Sequence, residues 1–297
     1  MSFQTFVQQF FNGVSLGSLY ALIAIGYTMV YGILRLINFA HGDVFMVGAY
    51  LFFYLVALFH LPWYLALAGA MLLAAGVGML IDRAAYRPVR EAPRISALIT
   101  AVGVAFLLEN GAIVALGARP KAFPRPAVMT QVYQISGANV LGVSFWVPVL
   151  ALVLLALLLL LVYRTKVGMA MRAVATDMEA TRLMGVDVDR VISYTFAVGS
   201  ALAAAGGIMW AFKYPQIQPL MGVYPGWKAF TAAVVGGIGS IAGATLGGFL
   251  IGMVEILFVA FFPMHSGYRD AVIFALLILF LLVRPTGILG APLKEKV

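Results

Sequence analysis

Eight apolar stretches, most of them long enough to cross a bilayer as a helix, leave this chain little freedom in what it can become. They cover residues 10–33, 44–60, 62–81, 96–117, 144–163, 191–212, 229–262 and 270–283. About 20 apolar residues in a helix span the ~30 Å of hydrocarbon. The runs are continuous rather than alternating, which excludes a transmembrane β-barrel. Only 10% of the residues are charged and 63% are hydrophobic, too few polar side chains to cover a water-facing surface. The expected fold is an all-α polytopic membrane protein with about eight hydrophobic segments and broken or re-entrant helices in each half. Residues 1–9 hold no Lys or Arg, so the basic region of a signal peptide is missing and the first segment reads as an uncleaved helix.

Two stretches break the pattern. Residues 229–262 are too many for one ordinary crossing, and Gly236, Gly237, Ile238, Gly239 and Ser240 interrupt them. Residues 44–60 are short and follow Asn38, Phe39, Ala40, His41, Gly42 and Asp43, a polar run too near an apolar one to be an ordinary loop. Unpaired backbone inside a bilayer is tolerated only where it is buried in protein or lines a water-filled cavity. One interruption in each half points to a transport site between structural repeats. The halves share negligible sequence similarity, so this repeat rests on hydropathy.

Basic residues orient the segments. Residues 82–94 carry Arg83, Arg87, Arg90 and Arg94, residues 164–190 carry Arg164, Lys166, Arg172, Arg182 and Arg190, and the tail carries Arg284, Lys294 and Lys296. The positive-inside rule makes these regions cytoplasmic. Residues 118–143 then lie outside, despite Arg119, Lys121 and Arg125. Counting crossings puts the N-terminus outside and makes residues 229–262 start and finish outside, with their glycine-rich break within the membrane. The net charge of +8 reads as basic loops meeting anionic lipid. No nucleic acid partner is expected, because no basic run is interleaved with aromatics.

The chemistry of an enzyme is missing. The sequence has no GxxxxGK[ST], GxSxG or HExxH pattern. It has no cysteine, and its three histidines stand far apart, so neither a metal site nor a cofactor is expected. If ATP drives this chain, another subunit holds the nucleotide.

Residues 164–190 form an amphipathic loop in which Thr176 or Asp177 can cap a short helix and Gly185 can end it. Ala175, Met178, Leu183 and Met184 are expected to supply apolar contacts. Glu179, Ala180 and Thr181 followed by Gly185 match the E-A-A-x-x-x-G spacing of the coupling loop of bacterial ABC importer permeases. A short helix with small residues on one face can seat in a groove of a partner ATPase, and a glycine lets the chain turn sharply. The departures are Thr181 in place of the second Ala and the lack of a Leu-Pro pair downstream.

Four further stretches carry a wider resemblance. They are Tyr86-Arg87-Pro88-Val89-Arg90, Ala203-Ala204-Ala205-Gly206-Gly207, Gly236-Gly237-Ile238-Gly239-Ser240-Ile241-Ala242-Gly243 and Arg284-Pro285-Thr286-Gly287-Ile288-Leu289-Gly290. With Asn38-Phe39-Ala40-His41-Gly42-Asp43 they make the chain resemble the LivH-type permeases, the membrane subunits of branched-chain amino acid ABC importers. The resemblance implies one transmembrane permease domain over 1–297, with a coupling loop at 164–190, in the bacterial inner membrane. Its implied partners are a homologous second permease, two ABC ATPase subunits and a periplasmic substrate-binding protein. Leu, Ile and Val are the implied substrates. Urea and short amides stay open within the same family, and a secondary transporter working without ATPases stays open outside it.

Individual residues have competing readings. Gly239, Gly243 and Gly247, with Gly248 and Gly252 on an adjacent face, make small-xxx-small steps that suit tight helix packing. Gly13 and Gly17 read as packing only. Gly236, Gly237, Gly239, Ser240 and Gly243 can also line the pathway as the break itself. Glu109 and Glu255 are acids inside spans, each costing ~2.5–3.5 kcal/mol if charged at the bilayer centre. They read either as interhelical hydrogen-bonding groups or as pathway residues, and Asn110 can join a network with Glu109. No mid-span Lys or Arg is expected to pair with them. Asn38, His41 and Asp43, near the cytoplasmic end of the first helix, read as a capped turn or as a gate. Trp227 and Lys228 read as interfacial anchors at the outer entrance of the broken segment.

Overall fold

The computed structural model describes residues 3–135 and 137–290, so Lys294 and Lys296 of the basic tail lie outside the described residues. Twelve helices follow in order. They are α1 (Phe3–Leu34), α2 (His41–Phe59), α3 (Trp63–Ile81), α4 (Arg94–Leu116), α5 (Ala127–Thr130), α6 (Gly142–Arg164), α7 (Lys166–Thr176), α8 (Met178–Leu183), α9 (Val188–Lys213), α10 (Val223–Gly236), α11 (Ile241–Phe261) and α12 (Arg269–Val283). Among the described residues, eight helices are long and apolar enough to cross a membrane. Punctuation matches chemistry: Pro62 and Pro93 precede α3 and α4, and Gly117 ends α4 with φ +84°, a conformation glycine adopts without Cβ strain.

Helices α1 and α9 form the centre, with 94% and 83% of their apolar windows buried, whereas α12 buries 6%. The peripheral helices therefore carry exposed leucine-rich faces, and the central pair owes its burial to the other helices of the chain. Small residues set the crossings. Gly17 packs on Gly252 and Phe249, and Gly248 packs on Ala21, where α1 meets α11. On the other side of the centre, α3 buries Ala66, Ala70, Ala74 and Gly78, and Gly78 lies against Phe196 and Ser200 of α9. Backbones approach closely at such steps, which is how helices gain packing energy without a hydrophobic drive in lipid. Gly243 and Gly247 use the adjacent face of α11 against Gly236 and Ala232 of α10.

The pairings reveal an internal repeat. α1 packs on α11 as α9 packs on α3, α2 touches α9 as α10 touches α1, and α4 lies on α2 as α12 lies on α10. The units α1–α4 and α9–α12 thus share one order. Each opens with a full-length helix, returns in extended chain, and starts a second helix part-way through the bundle. The first unit begins at one end and the second at the other, so the repeat has inverted topology.

The basic loops gather at one end. Asp82, fully buried below α3, accepts hydrogen bonds from Ser193 (2.5 Å) and from Arg90. Arg90 and Arg87 both bind Asp189 at the start of α9, at 2.6 and 2.5 Å. The opposite end carries two small antiparallel sheets. β1 (Lys121–Ala122) pairs with β4 (Gln216–Ile217), and β2 (Val132–Ile135) pairs with β3 (Ala138–Leu141).

Candidate functional site

The two helices that start inside the bundle meet head to head. His41, the first residue of α2, stacks on Tyr27 with ring centroids 4.7 Å apart and its imidazole lies against Gly26. Gly26 stands eight residues before the end of α1, about 12 Å inside that end at 1.5 Å per residue. Asn38, His41 and Asp43 therefore do not sit at the cytoplasmic end of α1, as their sequence position suggests: the chain after Leu34 folds back and places them in the interior, where all three are buried. Gly42 at the start of α2 packs on Gly222 and Gly226 at the start of α10.

Most buried polar groups there have a local partner, although Nε2 of His41 has none among the described residues. The Tyr86 hydroxyl donates to Asn38 at 2.9 Å. His41 hydrogen-bonds the Ile23 carbonyl, and the Gly42 N–H donates to the Tyr27 hydroxyl. Asp43 stands in the first turn of α2, where the positive end of the helix dipole favours a carboxylate. Its carboxyl also meets that of Glu109, which reaches over from α4. Asn110 does not join them, because it turns back to the Phe106 carbonyl. Between α2, α4 and α10 lies a cavity of about 540 Å3 lined by Asp43, Glu109, Phe39, Phe106, Trp227 and Phe230 among others. It opens on a face where Phe106, Trp227 and Tyr224 are exposed.

A methyl group on Gly222 would overlap the Gly42 carbonyl oxygen, and the colliding atoms on both sides are backbone. Gly222→Ala must therefore part the two helix starts, at a cost of about 1–3 kcal/mol or more. The expected result is a lower thermal transition of the purified protein and reduced uptake. An unchanged transition would show that the two starts do not touch.

The interruption at Gly236, Gly237, Gly239 and Ser240 lies elsewhere. Gly239 meets Gly32, two residues from the end of α1, and Gly237 packs on Gly287 and Gly290 after α12. These residues form the turn between α10 and α11 at the basic end, where Gly237 and Gly239 take φ +112° and +97°. The Ser240 hydroxyl accepts from the Gly243 N–H at 3.1 Å and caps α11. The second interior break is therefore the start of α10 and not this turn. Sequence reasoning missed Gly222 and Gly226, although Gly222, Pro225 and Gly226 form a glycine-proline cluster just before the apolar run.

Glu255 is paired rather than facing a pathway. Lys228 binds it at 2.7 Å, Tyr20 donates to it at 2.7 Å, and Lys228 also binds Asp270 at 2.7 Å. Lys228 is 5% exposed, so it is no interfacial anchor. It supplies the interior cation that the sequence reading did not expect. Trp227 beside it lies on the cavity rim against Phe39, with centroids 5.5 Å apart.

At the basic end, Asp177 caps α8 by accepting from the Ala180 N–H, and Gly185 ends the turn at φ +81°. Thr181 is buried, while Glu179 and Ala180 are exposed. Leu183 and Met184 are 88% and 83% exposed, unlike Ala175 and Met178, which pack on the core. A cleft of about 410 Å3 between α8, residues 87–91 and the start of α9 is lined by Arg87, Arg90, Glu91, Glu179, Arg182 and Asp189.

Residues 9–281 match the family model described as the branched-chain amino acid transport system permease component. The chain is 46% identical to the high-affinity branched-chain amino acid transport system permease protein LivH of Escherichia coli K12 and 45% identical to LivH of Salmonella typhimurium, with 99% of each chain covered. It is 42% identical to the corresponding protein BraD of Pseudomonas aeruginosa, over 98% of both chains. No solved structure matches.

Proposed function

The chain belongs to the family of branched-chain amino acid transport system permease components, and from that premise we propose that it is the membrane subunit through which an ATP-driven importer passes leucine, isoleucine and valine. The carrying observation is the identity of 42–46% over nearly the whole length to relatives whose names state that transport. In this reading the chain lies in the inner membrane as one permease unit beside a homologous second permease. A periplasmic binding protein delivers the substrate, and two ATPase subunits bind at the basic, cytoplasmic end.

Glu179, Ala180, Thr181 and Gly185 form the docking element. Exposed Leu183 and Met184 support this, because a surface helix with two bare apolar side chains suits a partner's groove. The cleft beside Glu179 leads to Arg87, Arg90 and Asp189, and through Asp82 to the junction of α3 and α9. A push on α8 is thereby delivered to rigid elements around the two interior helix starts. Alternating access follows if these starts, with Asp43 and Glu109 beside them, open to one side and then the other. Asn38 and His41 hold α2 in place, and Gly236, Gly237, Gly239, Ser240 and Gly243 form the turn about which α10 and α11 move together. Glu255, one acid that transport on an ion gradient alone could use, is held by Lys228.

Proteoliposomes holding this chain with its second permease and ATPases, supplied with the binding protein, should accumulate leucine only with ATP, in competition with isoleucine and valine. Uptake by this chain alone on a proton or sodium gradient, or uptake of urea in place of leucine, would overturn the reading.

A further inference from the structure

We propose that the cavity at the paired helix starts is a seat for the amino acid itself, with its ammonium group held between Asp43 and Glu109 and its aliphatic side chain against Phe39, Phe106, Trp227 and Phe230. The proposal rests on the transport reading and adds to it a recognition step inside the permease.

Charge balance is the first argument. Each helix start contributes roughly half a positive charge, so α2 and α10 together offset about one carboxylate. Two carboxyls face the cavity, and no Lys or Arg lines it among the described residues. Lys228, one residue from Trp227, is taken up by Glu255 and Asp270. The two carboxyls hydrogen-bond each other and so share a proton, which an incoming ammonium group, with no side-chain cation competing, replaces as their common partner while the proton leaves to water.

The helix dipole explains Asp43, which stands in the first turn of α2. It does not explain Glu109, which belongs to a helix with only 17% of its apolar window buried. A carboxylate on such a helix costs several kcal/mol unless something in the bilayer repays it.

The apolar side of the cavity sets the other half of the chemistry. Five aromatic rings, those four and Tyr27, around two carboxyls suit a cation with a hydrocarbon body, since ring faces attract cations and bury methyl groups. Urea, which is polar throughout, gains little there. The volume of about 540 Å3 falls within the range of small-ligand sites. The location, at the junction of inverted repeats, is where transporters place substrate.

Because the chain contains no cysteine, Val102→Cys on the cavity wall gives a single reactive thiol in this subunit. In the assembled importer without binding protein or ATP, L-leucine should slow its labelling by a maleimide several-fold. Isopentylamine, which keeps the ammonium group, should also protect, and 4-methylpentanoate, which lacks it, should not. Glu109→Gln should remove the protection and lower leucine uptake roughly tenfold, as loss of a charged hydrogen bond does. Glu109→Asp, which keeps the carboxyl, should restore part of both and show that the variant chain is folded. Equal protection by 4-methylpentanoate, or full uptake by Glu109→Gln, would overturn the seat and leave the transport reading standing. Protection by leucine in an importer that accumulates none would do the reverse.

Discussion

Glu179→Arg should abolish ATP-driven leucine uptake while the chain still inserts in the membrane at its normal level. Glu179 is exposed on α8, so no internal contact of the fold depends on it. Arg87, Arg90 and Arg182 already line the adjoining cleft. Reversing the charge adds a fourth cation there and removes an acid from the surface proposed for ATPase docking. Like charges brought together at an interface cost several kcal/mol, and at 1.4 kcal/mol per tenfold this lowers productive docking roughly a hundredfold or more. Glu179→Gln, which only removes the charge, should fall between. The measurement is uptake in vesicles normalised to the amount of this chain, with ATPase retention on the purified complex read alongside. Normal uptake by the arginine variant would refute the docking role of α8.

That element was legible because its signals are local. Asp177, Thr181 and Gly185 specify a capped, sharply ended short helix by their own backbone preferences, and Asp177 and Gly185 do so in the structure. What the apolar side chains of Leu183 and Met184 contact was not legible in the same way. Loop periodicity says that such residues are apolar, but not whether they turn into the chain, and in the structure both are exposed.

The spans were legible from hydropathy, since lipid demands a length and a composition that few other segments have. Depth was not. Asn38, His41 and Asp43 follow α1 directly, and only the return of the chain against Gly26 and Tyr27 shows that they lie inside the bundle. The start of α10 was hidden in the same way, because fourteen residues make too short a helix to register as a span. The inverted repeat left a trace in the small-residue steps, Ala66, Ala70, Ala74 and Gly78 on α3 and Ala244, Gly248 and Gly252 on α11. Spacing alone does not say which helix each stripe faces.

The pairing of Lys228 with Glu255 escaped the sequence altogether, and it carries the largest stability effect. Lys228 is set in α10 next to an aromatic residue at the edge of an apolar run, the usual setting of an interfacial anchor. An anchor reaches water, so its replacement by Met would change stability by no more than about 0.5 kcal/mol. Here both side chains of the pair are 6% exposed. Lys228→Met strands Glu255 beside Asp270, with Arg269 no closer than 3.8 Å. Breaking one side of a buried pair costs about 3–5 kcal/mol, the figure expected for the loss of stability in detergent-solubilised protein. Adding Glu255→Gln to Lys228→Met should recover much of it, since a neutral amide can still accept from the Tyr20 hydroxyl. Glu255→Gln alone should cost less than Lys228→Met, because Lys228 keeps Asp270. The order of the three variants separates a buried lock from an anchor. The lock ties α10 to α1, α11 and α12, so its loss should loosen α10 from all three.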